Sequence, residues 1–431
     1  MTKEEPDVIG LNCSTHTFLE AIQALKDAKR ALPESKIVLG GYHATFAAEK
    51  ILEEYDFVDY IIKGEAEHAM VQLLDSLEKG KSSEDVTGIS YRLDGKNINN
   101  PLSLVSDLDA LPFPDRSLLS SIDYGYSFQG IPLTFGKFTT LSTSRGCPFR
   151  CTYCSCAAFS LRKWRPRSAE NVVEELETAH GQGYKDCVIV DDNFTHNPKR
   201  TEQICDLIIE RDIDMRFYCE GRVDGASYEL LKKMKRAGIN VIYFGAESAD
   251  DKVLDYYKKH ITPEKTRLAI SNAKKAGMLV VTSYIIGAPV ETKEAVQRTL
   301  DFIRTSRPHA LQVNILDCLI GTSIWEDMEK NNLVGKEDWK RNHRIYEYNK
   351  DGFGKDELEA FVNDAYADWL KGWWSKEGIG DIIRILAKNK TARQVVFSNI
   401  LNPTVRKLML NGAKVFEPPK EQGKIETNPT P

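Results

Sequence analysis

The sequence contains no run of eighteen or more apolar residues, so a membrane-spanning helix is not expected from it. It has no excess of basic charge. The 58 Lys and Arg stand against 63 Asp and Glu, a formal net charge of −5, which argues against broad nucleic-acid binding because that function shows as a basic patch or stripe. The opening residues Met1–Pro6 lack the basic-then-apolar layout of a secretory signal, and a cytoplasmic location is the expectation. Nine cysteines in 431 residues read as reduced thiols or metal ligands rather than as a disulfide framework. Apolar residues at 42% and charged residues at 28% lie near globular averages, which excludes disordered and fibrous classes. A chain of this length holds two or three domains, each with its own core.

Short apolar runs alternate with helical patterns from the start. Asp7–Cys13, Ile37–Leu39 and Asp59–Lys63 read as strands, and Thr17–Leu32, Ala47–Tyr55 and Ala66–Glu78 as helices. Such alternation implies a parallel sheet with helices on its faces. Three strands are few for a doubly wound domain, so residues 1–85 read as an incomplete Rossmann-like domain. Asp94-Gly95 between short polar strands signals a hairpin, and Leu111-Pro112-Phe113-Pro114-Asp115 reads as extended chain. Residues 86–134 are therefore expected to be a hairpin and linker.

From Thr139 the alternation resumes. Strands are expected at Thr139–Ser144, Cys187–Asp191, Met215–Glu220, Asn240–Ala246, Leu279–Ile286 and Ala310–Leu316, with five helices between them. Six β/α units are too few to close an eight-stranded barrel, so residues 135–325 read as a partial (β/α)6 TIM-like barrel. Residues 326–416 follow as a C-terminal helical region and residues 417–431 as a polar, Pro-rich disordered tail.

The informative segment is Arg145-Gly146-Cys147-Pro148-Phe149-Arg150-Cys151-Thr152-Tyr153-Cys154. Three thiolates spaced by three and two residues, directly after a strand, can wrap one face of a cubane iron–sulfur cluster. With three ligands one iron keeps an open position, the requirement for a cluster that binds a small molecule and passes an electron to it. No His or fourth Cys stands at zinc spacing, which disfavours zinc, and Cys156 is poorly placed as a fourth ligand.

This Cys-x3-Cys-x2-Cys spacing, with an aromatic before the last cysteine, resembles that of the radical S-adenosylmethionine (SAM) superfamily, and the resemblance covers residues 135 to 325. It implies a 4Fe-4S cluster on Cys147, Cys151 and Cys154 that cleaves SAM reductively to a 5′-deoxyadenosyl radical. An external electron donor of flavodoxin or ferredoxin type is implied as well. Ligands in parallel β/α folds bind at the carboxyl ends of strands. There the resemblance assigns Tyr153, Asp192, Asn193, Arg222, Glu247, Ser248, Lys259 and Gly287 to SAM. Val190-Asp191-Asp192-Asn193 departs from the family's Gly-Gly-Glu form and resembles its cobalamin-associated branch.

The front segments around Gly40-Gly41-Tyr42-His43 and Gly64-Glu65 resemble the cobalamin-binding domain that precedes many such methylases. Gly40, Gly41, Gly64, Glu65 and His43 are the candidate cobalamin contacts, although a surface role for His43 is the plainer expectation. No Asp-x-His-x-x-Gly cobalt-ligand motif is present. The resemblance covers only the latter part of such a domain, so the chain is expected to begin partway into one and to hold cobalamin weakly or not at all. Methyl transfer to an unactivated carbon is the implied chemistry, with ring formation or oxidation, as in the anaerobic porphyrin ring cyclase, as the alternative. A non-catalytic electron carrier is the third reading. The substrate class stays open among small molecule, lipid and peptide. Trp369, Trp373 and Trp374 with Tyr366 and Leu370, followed by Ile379, Ile382, Ile383, Ile385 and Leu386, suit either packing over the barrel mouth or the front domain or a peripheral membrane contact.

Overall fold

The computed structural model describes residues 5–119, 122, 125–128, 131, 132, 134–349 and 352–394. The expected tail at 417–431 and the end of the helical region, 395–416, lie outside the described residues.

The front sheet begins with β1 (Val8–Asn12), α1 (Phe18–Ala31), β2 (Lys36–Gly40), α2 (Tyr42–Glu54), β3 (Tyr60–Ile62) and α3 (Glu67–Glu78). β1, β2 and β3 pair in parallel, as the alternation predicts. The hairpin expected in the linking segment is instead part of this sheet. Its strands β4 (Ile89–Leu93) and β5 (Lys96–Asn99) extend the order to β1-β2-β3-β4-β5, with β4 antiparallel to β3. The reason is apolar area. Ile89 and Tyr91 on β4 complete a cluster with Val38, Ile62, Ala69 and Leu73 that β3 alone would leave open to water.

The second sheet follows. β6 (Phe138–Leu141) leads into a short ribbon of β7 (Ser144–Arg145) and β8 (Arg165–Pro166), and the loop between them carries the cysteines and α4 (Cys156–Phe159). Next come α5 (Ala169–Gly181), β9 (Asp186–Ile189), α6 (Pro198–Glu210), β10 (Arg216–Gly221), α7 (Tyr228–Arg236) and β11 (Ile239–Glu247). They are followed by α8 (Asp251–Tyr256), α9 (Pro263–Ala276), β12 (Leu279–Ile286), α10 (Lys293–Ser306) and β13 (Ala310–Ile315). The six strands lie in the order β6-β9-β10-β11-β12-β13, all parallel, the expected partial barrel. Ser168, Asn197, Ser227, Thr262 and Thr292 each cap the following helix by accepting a backbone amide three residues on, which sets where each of these five helices begins.

Alternation sorts the side chains. Cys187, Phe217, Ile242, Phe244 and Leu311 pack under the helices. Val188, Tyr218, Val241 and Val281 form a separate apolar floor on the other, concave face.

Beyond the barrel, α11 (Ser323–Lys330), α12 (Lys355–Trp373) and α13 (Lys376–Lys388) supply the C-terminal helices. α12 lies along α10 and β13. Trp369 and Trp373 both donate their indole N–H to the Pro308 carbonyl, at 2.7 and 3.0 Å, so these aromatics pack on the barrel edge at the amino end of β13 rather than over the barrel mouth. Trp374, Ile379, Ile382 and Ile383 stay exposed. Among the described residues, no helix is long and apolar enough to cross a membrane.

The front domain docks through a ring stack. Phe18 and Trp339 flank His43 at centroid distances of 4.1 and 5.8 Å, and its Nδ1 lies 3.2 Å from the Thr15 hydroxyl. The expectation of a surface histidine does not hold, since His43 is fully buried. α2 starts at Tyr42 rather than Ala47, so His43 falls in its first turn, facing α1. Burial pulls its pKa down to about 4. The folded state thus prefers the neutral ring, whereas the unfolded chain takes up a proton below its ordinary value near 6.5. Stability is therefore fully present above about pH 6.5 and is lost as pH falls toward 4. Between pH 7 and pH 5 the loss from His43 is about 2 kcal/mol. Urea unfolding at the two pH values should show this decrement in the native chain and its absence in His43→Gln.

Candidate active site

Backbone amides anchor the cysteine loop at its start and beside its central cysteines. The Gly146 amide donates to Asp192 Oδ2 at 3.0 Å, and the Thr152 amide to the Tyr257 carbonyl at 3.1 Å. Asp191, the buried neighbour of Asp192, accepts the Thr143 amide and the Thr143 and Ser144 hydroxyls, each at 2.6 Å, and so fixes the end of β9 against the start of the ribbon. Cys147, Cys151 and Cys154 are free thiols, half-buried on this loop. Burial pushes the Cys147 thiol up to about 11, with Cys154 and Cys151 close enough to add to it. Cys151 is raised by burial too, against the pull of Lys259 and Arg222. Cys154 is held below the ordinary thiol value, chiefly by a hydrogen bond from Cys156.

Among the described residues, no three His, Cys, Asp or Glu side chains converge to suit a single metal ion. A cubane takes one thiolate per iron, so its ligands stand apart rather than meeting at a point. Three unpaired thiols on one loop, with two cations beside Cys151, fit that kind of group. Cys156 is buried at the start of α4.

A polar triangle lies next to the loop. Tyr153 donates its hydroxyl to Glu247 Oε1 at 2.9 Å, and Lys259 Nζ donates to the same oxygen at 2.7 Å and to the Tyr153 oxygen at 3.1 Å. Glu247 ends β11 with a positive φ of 64° at a break in register with β12, an uncommon conformation for a non-glycine residue that a surrounding structure must enforce. Gly245 makes room for the pair. A Cβ there would lie 2.3 Å from Glu247 Oε1 and 2.8 Å from Lys259 Nζ. Arg222 donates to the Lys259 carbonyl at 2.7 Å and stacks its guanidinium 3.7 Å over Phe149, inside the cysteine motif.

The residues named from sequence thus divide. Tyr153, Glu247, Lys259 and Arg222 gather around the loop, and Asp192 holds its start with an exposed side chain. Asn193 is buried and accepts from the Arg222 amide and the Thr195 hydroxyl, both at 3.3 Å. Ser248 turns away to Thr299 and the Asp250 amide. Gly287 packs under Ile345 and Leu358, and its amide donates to Glu291 at 2.6 Å.

In the front domain, the Cα faces of Gly41 and Gly64 approach the chain's own backbone at Cys13 and Ser103, and that of Gly40 approaches the Ile62 carbonyl. Glu65 pairs with Arg165. His43 is sealed from solvent between Phe18 and Trp339. The carboxyl ends of β2 and β3 nevertheless face the cysteine loop: Tyr42, after β2, stacks on Phe159 at 4.1 Å, and Glu65, after β3, pairs with Arg165.

Sequence reading passed over Glu220. Strand alternation carries the concave face upward from Tyr218 to Glu220 and, across register, to Tyr243, Ser283, Gln312 and Asn314. Tyr243 donates to Gln312 at 3.1 Å and Gln312 to Asn314 at 3.4 Å. Burial, with Asp192 and Glu247 nearby, raises the Glu220 carboxyl to about 6. The period-two pattern of β10 was the available signal.

Comparison with known proteins agrees with this arrangement. The Radical SAM superfamily pattern matches residues 141–303 and the B12 binding domain pattern residues 1–74. A protein of Pyrococcus horikoshii described as an uncharacterized methyltransferase is 34% identical over 341 residues, 79% of this chain and 73% of that one. The anaerobic magnesium-protoporphyrin IX monomethyl ester cyclase of Rubrivivax gelatinosus is 30% identical over 318 residues, 72% of this chain and 56% of the cyclase. The chain thus spans little more than half the length of that second relative. Among solved structures, the cobalamin-dependent SAM radical enzyme OxsB, with aqua-cobalamin and SAM bound, superposes with a TM-score of 0.68 at 19% identity, over 93% of this chain and 63% of OxsB. The chain belongs to the radical SAM superfamily, in the branch that carries a B12-binding domain.

The buried pair permits a test on the protein without any cofactor. Lys259→Met strands the Glu247 carboxylate, both groups being almost fully buried, and should cost about 3–5 kcal/mol in urea unfolding. Adding Glu247→Gln should recover most of that loss. Equal stability of Lys259→Met and the native chain would mean that the pair is not formed.

Proposed function

Taking that membership as the premise, we propose that the chain uses a 4Fe-4S cluster held by Cys147, Cys151 and Cys154 to methylate an unactivated carbon of a small hydrogen-bonding molecule. The observation that carries this reading is the meeting of three unpaired thiols with the Tyr153–Glu247–Lys259 triangle at the carboxyl end of one sheet. When bound, the cluster supplies the electron that cleaves SAM to a 5′-deoxyadenosyl radical, and cobalamin supplies a methyl carrier.

The chain's own residues do the rest. Lys259 and Arg222 favour the thiolate at Cys151. Lys259 offers its ammonium to the carboxylate of SAM and Glu247 its carboxylate to the amine, each giving up part of its bond to the other. Tyr153 donates to Glu247 and keeps that carboxylate oriented. Glu220, Tyr243, Ser283, Gln312 and Asn314 line the concave face with donors and acceptors, which suits a hydrogen-bonding small molecule better than a lipid. The carboxyl edge of the front sheet is the place for cobalamin, held without a ligand from His43. An electron donor of flavodoxin or ferredoxin type reaches the half-exposed loop, and the setting is cytoplasmic. A peripheral membrane contact would use Trp374, Ile379, Ile382 and Ile383 on the C-terminal helices. Ring formation or oxidation without methyl transfer is the second reading, on the strength of the relation to the porphyrin cyclase. An electron carrier has no use for the Glu247–Lys259 pair.

Anaerobically reconstituted protein should hold about four irons per chain and cleave SAM to 5′-deoxyadenosine. Replacing Cys147, Cys151 and Cys154 together by Ala should abolish both, and Cys156→Ala should keep the cluster. Full iron loading in the triple variant would refute the assignment. Glu247→Ala and Lys259→Ala should each weaken SAM binding on the order of ten- to a hundredfold at unchanged iron content, the range of a lost charge-assisted hydrogen bond. Unaltered affinity in both would misplace the site. A titration of hydroxocobalamin followed by its visible spectrum should show weak binding that His43→Ala leaves unchanged. Tight binding sensitive to His43 would overturn the reading of that residue.

A further inference from the structure

The cysteine loop hangs from a ribbon only two residue pairs long, in which Arg145 lies directly opposite Arg165. Like charges facing each other across a ribbon repel, and so short a pairing has little else to hold it. The compensating charges come from the front domain. Arg165 forks onto Glu65 at 2.6 and 2.8 Å, and Arg145 donates to Glu67 at 2.6 Å and lies 3.5 Å from Glu65. The Glu65 and Arg165 side chains are only 8% and 11% exposed, so this fork is not a solvated surface pair. Glu65 also accepts the Val105 amide at 2.7 Å. On the loop's other flank, Tyr42 and Phe46 of α2 pack on Phe159.

We propose that Glu65 and Glu67 are positioning residues for the cysteine loop, so that docking of the front domain and closure of the loop over residues 146–164 are a single event. The front-domain carboxylates cancel the arginine repulsion that would otherwise open the ribbon. They act at the carboxyl end of β3, where a ligand of the front domain would sit. Displacement of that strand end would reach the cysteines through Arg145 and Arg165 without any contact between ligand and loop. The role needs no metal; only its consequence for iron loading rests on the cluster reading above.

Hydrogen exchange of the full chain without iron, read by mass spectrometry, tests this. In the Glu65→Gln/Glu67→Gln variant, amides of 146–164 should exchange about tenfold faster or more, while those of α5 stay as in the native chain. Iron content after reconstitution should fall in parallel. Adding Arg145→Glu to that variant sets opposite charges across the ribbon and should return loop exchange toward the native rate. Unchanged loop exchange in the Gln variant overturns the proposal. So does acceleration that Arg145→Glu fails to reverse, because it would mark general loosening rather than repulsion. If exchange behaves as expected but the native chain takes up no iron, the cluster reading fails and the positioning role stands.

Discussion

Lys259 and Glu247 face each other at 2.7 Å with both side chains almost out of water, an arrangement that destabilises a protein unless the remaining donors and acceptors are also met. Tyr153 meets one of them from the cysteine loop, and Gly245 leaves the space that the pair occupies. The reactive end of the barrel is organised around this requirement. The left-handed turn at Glu247, the break in register with β12 and the placement of Tyr153 beside its cysteine neighbours are all parts of satisfying one buried ion pair. A charge pair so constrained is fixed in position, with Tyr153 holding the shared oxygen.

The same logic of charge needing company joins the two sheets. Arg145 and Arg165 close the cysteine loop yet repel each other, and the carboxylates that relieve them belong to the front domain. Apolar contacts at Phe18, His43 and Trp339 and at Tyr42 and Phe159 press the same two bodies together. The front sheet therefore contributes to the cysteine site by its position, whatever it binds. This gives Glu65 a definite task, distinct from the cofactor contact that its place after Gly64 suggests.

Local pattern carried far into this molecule because its barrel is built from repeated β/α units. The Ser168, Thr262 and Thr292 caps and the apolar runs at 279–286 and 310–315 announce themselves within a few residues, and each element forms for reasons contained in its own segment. The hairpin at 89–99 was legible as a hairpin but not as part of the front sheet, since its partner β3 supplies the reason and lies twenty-seven residues or more away. His43 was misread for a related cause. The start of α2 at Tyr42 depends on Gly41 and on packing against α1 and Trp339, which no local window contains.

What the sequence determined by itself is the chemistry of the cysteine loop. Three thiols at spacings of three and two residues stay together whatever surrounds them, because a loop this short cannot carry its cysteines far from one another. What tertiary structure alone decided is which charged residues serve that loop. Glu247, Lys259 and Arg222 were reachable from their strand ends, but Ser248 and Gly287, equally well placed along the chain, turn to Thr299 and to Ile345 and Leu358. Glu220 stands on the concave face of the sheet, and Glu65 and Glu67 serve the loop from another domain. Burial and charge compensation make those choices, and both are sums over neighbours that only the folded chain brings together.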